Sequence, residues 1–217
     1  MRSYRFGSPR LFVTSFTAVP PKYFPLPANY YAMARAPGAL LLETARYDAE
    51  NHHSYLFLDP REIISIDSTE QVPFLFEAIE ARLQRGRHVA GFLGYEAGYH
   101  FESIAKFTQT APGLPLAWFG VYDAPLLFDH VTGRMEGEAR FNRQELDGDC
   151  SIQNCRFGIS EPEYCRKIER IKEYIRAGDT YQVNYTDKIH FDFRGSPLAL
   201  FAELRQKQKV FYSALRN

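Results

Sequence analysis

The residues able to do chemistry in this chain are a run of spaced glycines with two glutamates, six histidines and three cysteines. Gly91, Gly94 and Gly98 allow a tight backbone passage, but their spacing is not the Gly-x-Gly-x-x-Gly that brings backbone N–H groups onto a pyrophosphate. No helix start follows them directly, so they read as structural. Glu96 and Glu102 lie among aromatic residues, where a carboxylate more often faces solvent or caps a turn than transfers protons. His52, His53, His88, His100, His130 and His190 include no His-x-x-x-His pair, and each reads as a surface or core-edge residue. Cys150, Cys155 and Cys165 are odd in number, which argues against a disulfide framework. With His52 and His53 remote in sequence, they also fall short of a four-ligand zinc set, and no metal ligand is assigned. The sequence holds no Gly-x-Ser-x-Gly elbow and no Walker loop.

The surroundings of these residues are those of a folded protein. Hydrophobic residues make up 45% and charged residues 24% of the 217, which excludes disorder as the main state and leaves room for one to two domains. Lys and Arg number 26, equal to Asp and Glu, so no net field draws the chain to nucleic acid or to an anionic membrane. No apolar run reaches the roughly 18 residues of a membrane span, and the N-terminus lacks a signal-peptide core. A soluble, cytoplasmic chain is expected.

The elements that must position any site follow from periodicity. Leu11-Phe12-Val13 is a short strand candidate, and Pro20, Pro21, Pro25 and Pro27 make the next stretch irregular. Residues 39–47 and 54–58 read as a hairpin, with a third strand over 62–66. Ser68 and Gln71 resemble a capping box ahead of a helix whose apolar face is Val72, Leu75, Phe76, Ile79 and Leu83, ended by Gly86. Strands are expected at 89–93, 116–122 and 126–128, with a Thr132-Gly133 turn before 134–141. Residues 142–154 are polar and aperiodic, and we take 142–158 as a linker or surface loop between a first region, 1–141, and a second, 159–217. In the second, Ser160 and Glu163 form a capping box for a helix with the stripe Tyr164, Ile168, Ile171 and Ile175, which Gly178 ends. Tyr181, Val183, Tyr185, Ile189, Phe191 and Phe193 share one parity, as in a half-buried strand, with Asp187 breaking the pattern. A helix over 198–208 and a strand over 210–215 close the chain. The fold class is α+β. A second unit of roughly 65 residues is small for an independent core, so the chain is expected to be truncated.

Three segments carry a resemblance: 91–102 (Gly-Phe-Leu-Gly-Tyr-Glu-Ala-Gly-Tyr-His-Phe-Glu), 115–123 (Pro-Leu-Ala-Trp-Phe-Gly-Val-Tyr-Asp) and 174–186 (Tyr-Ile-Arg-Ala-Gly-Asp-Thr-Tyr-Gln-Val-Asn-Tyr-Thr). In type, order and spacing they resemble the chorismate-utilising enzymes, nearest to component I of aminodeoxychorismate synthase, with component I of anthranilate synthase next. The resemblance spans essentially this whole chain but only the N-terminal part of the family's length. It implies an antiparallel β-sandwich with helices packed outside, incomplete in this chain. It also implies amination of chorismate for para-aminobenzoate and folate synthesis, with Mg²⁺ held by glutamates of the C-terminal half and ammonia supplied by a glutaminase subunit or domain. The family's Pro-Ile-Lys-Gly-Thr loop, whose Lys becomes Ala in anthranilate synthases, lies outside these residues. No catalytic residue and no metal ligand is therefore carried over.

One family site does fall here, an amino-acid pocket that takes tryptophan in anthranilate synthases. Leu41-Leu42-Glu43-Thr44 resembles its Leu-Leu-Glu-Ser motif, with Thr44 keeping the hydroxyl and adding a methyl group. Phe211, Tyr212 and Ser213, after Val210, would supply the opposite wall, without the family's usual proline. The alternative for both segments is core strand. A non-catalytic module that binds an amino acid or docks the glutaminase remains the alternative for the whole chain.

Overall fold

The computed structural model describes residues 23–102, 113–137 and 148–217. The strand candidate at Leu11-Phe12-Val13, with Pro20, Pro21 and residues 142–147 of the polar segment, lies outside them. The first part builds two antiparallel sheets. One has five strands in the order β10 (Ser213–Arg216), β1 (Leu40–Glu43), β2 (His53–Phe57), β6 (Leu126–Asp129) and β7 (Arg134–Glu136). The other places β5 (Ala117–Tyr122) between β3 (Glu62–Ile66) and β4 (His88–Leu93). The hairpin, the third strand and the turn at Gly133 all form as the periodicity implies.

β1 explains why a run of three leucines is needed. Successive side chains of a strand point to opposite faces, and both faces of β1 are covered. Leu41 joins Leu56, Leu126 and Phe128 beneath Tyr30 and Tyr31 of α1 (Ala28–Met33) and Leu198 of α4 (Pro197–Lys207). Leu40 turns the other way, toward Phe57, Ala90 and Tyr122, the cluster through which the two sheets meet. The Tyr122 hydroxyl crosses between them to donate to the Gly38 carbonyl at 2.9 Å. α2 (Val72–Leu83) covers the far side of the three-stranded sheet with Val72, Leu75 and Ile79, while Phe76 and Leu83 stand about half exposed. Gln71 accepts from the Ser68 N–H at 3.2 Å, as a capping box requires.

Three local expectations are corrected. Within the segment 142–158, expected to be a linker or surface loop, residues 150–157 are strand: β8 (Cys150–Phe157) pairs antiparallel with β9 (Ile189–Gly195). Its polar composition hides the strand because its register is set by a partner far along the chain. A shift between Gln153 and Arg156, with Asn154 at φ 53°, breaks the alternation as well. Residues 181–188 are irregular rather than strand, and Tyr181 is 92% exposed. Ser160 precedes α3 (Glu161–Ala177) without a side-chain capping bond. Ahead of the helix, Asp187 Oδ2 accepts from Gly158 N at 3.1 Å and Ile159 N at 3.3 Å, which ties the entering chain to the segment before β9. Gly178, at φ 81°, ends α3 as expected.

Candidate functional site

The two segments singled out from the sequence lie side by side in one sheet. β10 pairs with β1 so that Glu43 faces Ser213 and Leu42 faces Ala214, and the Ser213 hydroxyl donates to the Glu43 carbonyl at 3.3 Å. Just outside the pair, Ala45 and Arg46 donate their N–H groups to the Val210 carbonyl. The Arg46 guanidinium lies 4.7 Å over the Phe211 ring, and the Tyr212 hydroxyl donates to Asn51 Oδ1 at 3.3 Å. Leu42 packs against the cluster between the sheets.

Glu43 is fully buried. Its Oε1 accepts from the Tyr31 hydroxyl at 2.6 Å and from Arg205 Nε, while Oε2 has no hydrogen-bond partner among the described residues. Burial pushes its carboxyl above the ordinary carboxylate range, against the pull of Tyr31 and Arg205. Burial likewise raises the Tyr31 phenol, and the adjoining carboxylate adds to it. Arg205 reaches from α4 to a strand 162 residues earlier. It also lines a cavity of about 320 Å³ with Tyr23, Ala45, Tyr47, Gln206 and Lys209. Tyr23 stacks on Tyr47 at 5.0 Å, and Tyr47 lies 4.5 Å from the His130 ring.

Thr44 is not a free donor. It is fully buried, and its hydroxyl donates to the His53 carbonyl at 2.7 Å. Its N–H opens a buried relay, donating to Ser54 Oγ at 3.0 Å, which is 2.7 Å from His130 Nε2. His130 Nδ1 is 2.7 Å from the Phe24 carbonyl. A carbonyl only accepts, so Nδ1 carries a proton, and in the neutral His130 imidazole Nε2 accepts from the Ser54 hydroxyl. Desolvation holds its pKa below the usual 6.5. Far from a core-edge surface residue, His130 is fully buried. Sequence reasoning passed over Tyr31, Tyr47, Ser54 and Arg205, because nothing in local spacing joins them to each other or to His130.

The other marked residues sit apart. Gly91 lies within β4, where an added Cβ would stand 2.6 Å from Phe119 Cα, so it serves close strand approach. Glu96 and His100 fall in a short 3-10 turn, Tyr95–His100. The three cysteines are free thiols. Mg²⁺ takes oxygen ligands in octahedral geometry. Among the described residues the one group of three ligating side chains within reach of one another is His52, His53 and Asp129, whose two imidazoles do not fit that ion.

Residues 39–217 match the family described as chorismate binding enzyme. The chain belongs to that family. It is 26% identical over 136 residues to aminodeoxychorismate synthase component 1 of Escherichia coli K12, covering 57% of this chain and 30% of that protein. Anthranilate synthase component 1 of Thermus thermophilus is 23% identical over 221 residues, covering 83% of this chain and 48% of the relative. The crystal structure of anthranilate synthase component I from Streptococcus pneumoniae TIGR4 superposes with a TM-score of 0.57 at 19% identity, over 76% of this chain and 47% of that one. That likeness supports the fold. The matches thus span 30% to 48% of the length of these family members. Among the described residues no helix is long and apolar enough to cross a membrane.

Proposed function

We propose that the chain is the N-terminal portion of an aminodeoxychorismate synthase component I, which aminates chorismate to 4-amino-4-deoxychorismate on the way to para-aminobenzoate and folate. The family match over residues 39–217 carries this reading, and the similarity to the Escherichia coli enzyme directs it to this member. In the assembled enzyme the two sheets form part of an antiparallel β-sandwich. Mg²⁺ and the reacting ring belong to residues outside this chain, and a glutaminase supplies ammonia. A second reading, anthranilate synthase component I, draws on the wider coverage by the Thermus thermophilus relative. Expression of the complete coding sequence with chorismate, Mg²⁺ and ammonia tests both: 4-amino-4-deoxychorismate is the expected product, anthranilate selects the second reading, and neither product overturns both. The 217-residue chain alone is expected to convert no chorismate.

Within this reading, the cavity between Tyr47 and Arg205 is the amino-acid pocket, with Leu42, Glu43, Thr44, Phe211, Tyr212 and Ser213 forming the strand edge behind it. Arg205 and Lys209 line the cavity and supply positive charge for an amino acid's carboxylate, Tyr23 and Tyr47 offer aromatic faces, and the buried Glu43 holds Arg205 from behind. Thr44 acts through the backbone rather than on the ligand. Calorimetric titration of tryptophan into the complete enzyme tests this: Tyr47→Ala is expected to weaken binding, and equal affinity in both forms would remove the cavity from consideration.

A further inference from the structure

We propose that His52, His53 and Asp129 form a binding site for a divalent first-row transition ion of the Zn²⁺ class. His53 opens β2 and Asp129 closes β6, and the antiparallel register sets these two residues opposite each other. With His52 directly before the strand, one ligating atom from each of the three lies within 4.8 Å of the others. The two imidazole rings are 4.1 Å apart between centroids. A bound ion at about 2.0–2.1 Å from each nitrogen would bring tetrahedral ligand atoms to roughly 3.3 Å from one another.

Independent features point the same way. Asp129 is oriented in advance, its Oδ1 accepting from Val131 N at 2.8 Å and Thr132 N at 3.4 Å, and its Oδ2 from the Thr132 hydroxyl at 2.8 Å. Such outer hydrogen bonds aim a carboxylate and leave lone pairs for a cation. His52 Nδ1 is buried and has no hydrogen-bond partner among the described residues, which is costly for a polar nitrogen unless a ligand satisfies it. Both histidine backbones are pinned: the His52 carbonyl accepts from His130 N at 2.8 Å, and the His53 carbonyl accepts from Thr44. Two imidazoles with one carboxylate suit Zn²⁺ and its neighbours in the series rather than Mg²⁺ or Ca²⁺. Three protein ligands leave a fourth position for water. The ion would clamp the segment carrying Tyr47 to the turn after β6.

The test is calorimetric titration of Zn²⁺ into the tag-free chain with Cys150, Cys155 and Cys165 all changed to Ser, followed by the absorption spectrum with Co²⁺. One equivalent is expected to bind. His52→Gln and His53→Ala should each weaken affinity about tenfold or more, while His88→Ala should leave it unchanged. At equal Zn²⁺ the melting temperature should rise more in the parent than in the two variants. Circular dichroism of the metal-free variants separates loss of the site from loss of the fold, and His52→Gln, at a half-buried position, keeps a polar side chain for that purpose. Absence of saturable binding, or equal affinity in the parent, His52→Gln and His53→Ala, overturns the proposal.

Discussion

At the scale of single residues, the consequential groups are buried charges and a buried imidazole. Arg205 is the only cation the structure brings to Glu43 among the described residues, and a carboxylate left buried without its partner typically loses about 3–5 kcal/mol of stability. Because the Arg205 side chain is still 20% exposed, Arg205→Met should fall near the lower end, about 3 kcal/mol in urea unfolding. A loss below about 0.5 kcal/mol would mean that Glu43 is protonated in the native state and needs no counter-charge. His130 gives a pH dependence. Its folded pKa lies below the ordinary 6.5, so its contribution is fully present above that value. The contribution is lost as pH falls through the folded pKa, where the unfolded chain takes up the proton more readily. Between about pH 7.5 and 5.5 the melting temperature of the wild type should therefore drop more steeply than that of His130→Gln. Parallel curves would show that His130 titrates normally.

At the scale of elements, β4 and β5 owe their pairing to a missing side chain. A Cβ at Gly91 would meet the Trp118 carbonyl oxygen and Phe119 Cα, backbone atoms that cannot rotate away. Gly91→Ala should thus cost at least the 1–3 kcal/mol typical of overpacking, read as a lower urea midpoint with an unchanged slope. Wild-type stability in the variant would show that the strands separate at no cost. By contrast, an added Cβ at Gly98 meets nothing within 4 Å, which makes Gly98→Ala the natural control. α3 shows the opposite situation. Its capping glycine, its ion pairs Lys167–Glu163 and Lys172–Glu169 and its apolar stripe are all formed, yet no residue of the helix is buried. Local signals complete this helix before any packing does.

For the whole molecule, apolar burial is uneven. The five- and three-stranded sheets enclose the core, whereas the unit of β8, β9 and α3 leaves Phe157, Tyr174, Ile175, Ile189 and Phe191 between 42% and 73% exposed. Apolar surface of that kind, beside a sheet that has two strands among the described residues, favours association. Light scattering of the 217-residue chain should accordingly show mass rising with concentration, and Phe191→Lys with Ile175→Lys should reduce it. A monomer at all concentrations would mean that this face is stable in water.

What the sequence determined by itself are the features governed by neighbours within a few turns or one hairpin. β3 appears at the predicted residues, α3 runs between its proline and glycine signals, α4 starts at its Ser196-Pro197 signal, and the run Leu40-Leu41-Leu42 forms a strand. The family was legible too, because the glycine-rich and Ala-Gly-Asp-Thr segments are contiguous. The tertiary structure alone decided which distant side chains meet. It set Arg205 against Glu43 and His53 against Asp129, and it withdrew the Thr44 hydroxyl into the backbone. It also made a strand of a polar segment by pairing it with β9. Periodicity reports which face of an element is apolar. It carries no information about which distant element covers that face, and buried polar partners are chosen only when the chain closes on itself.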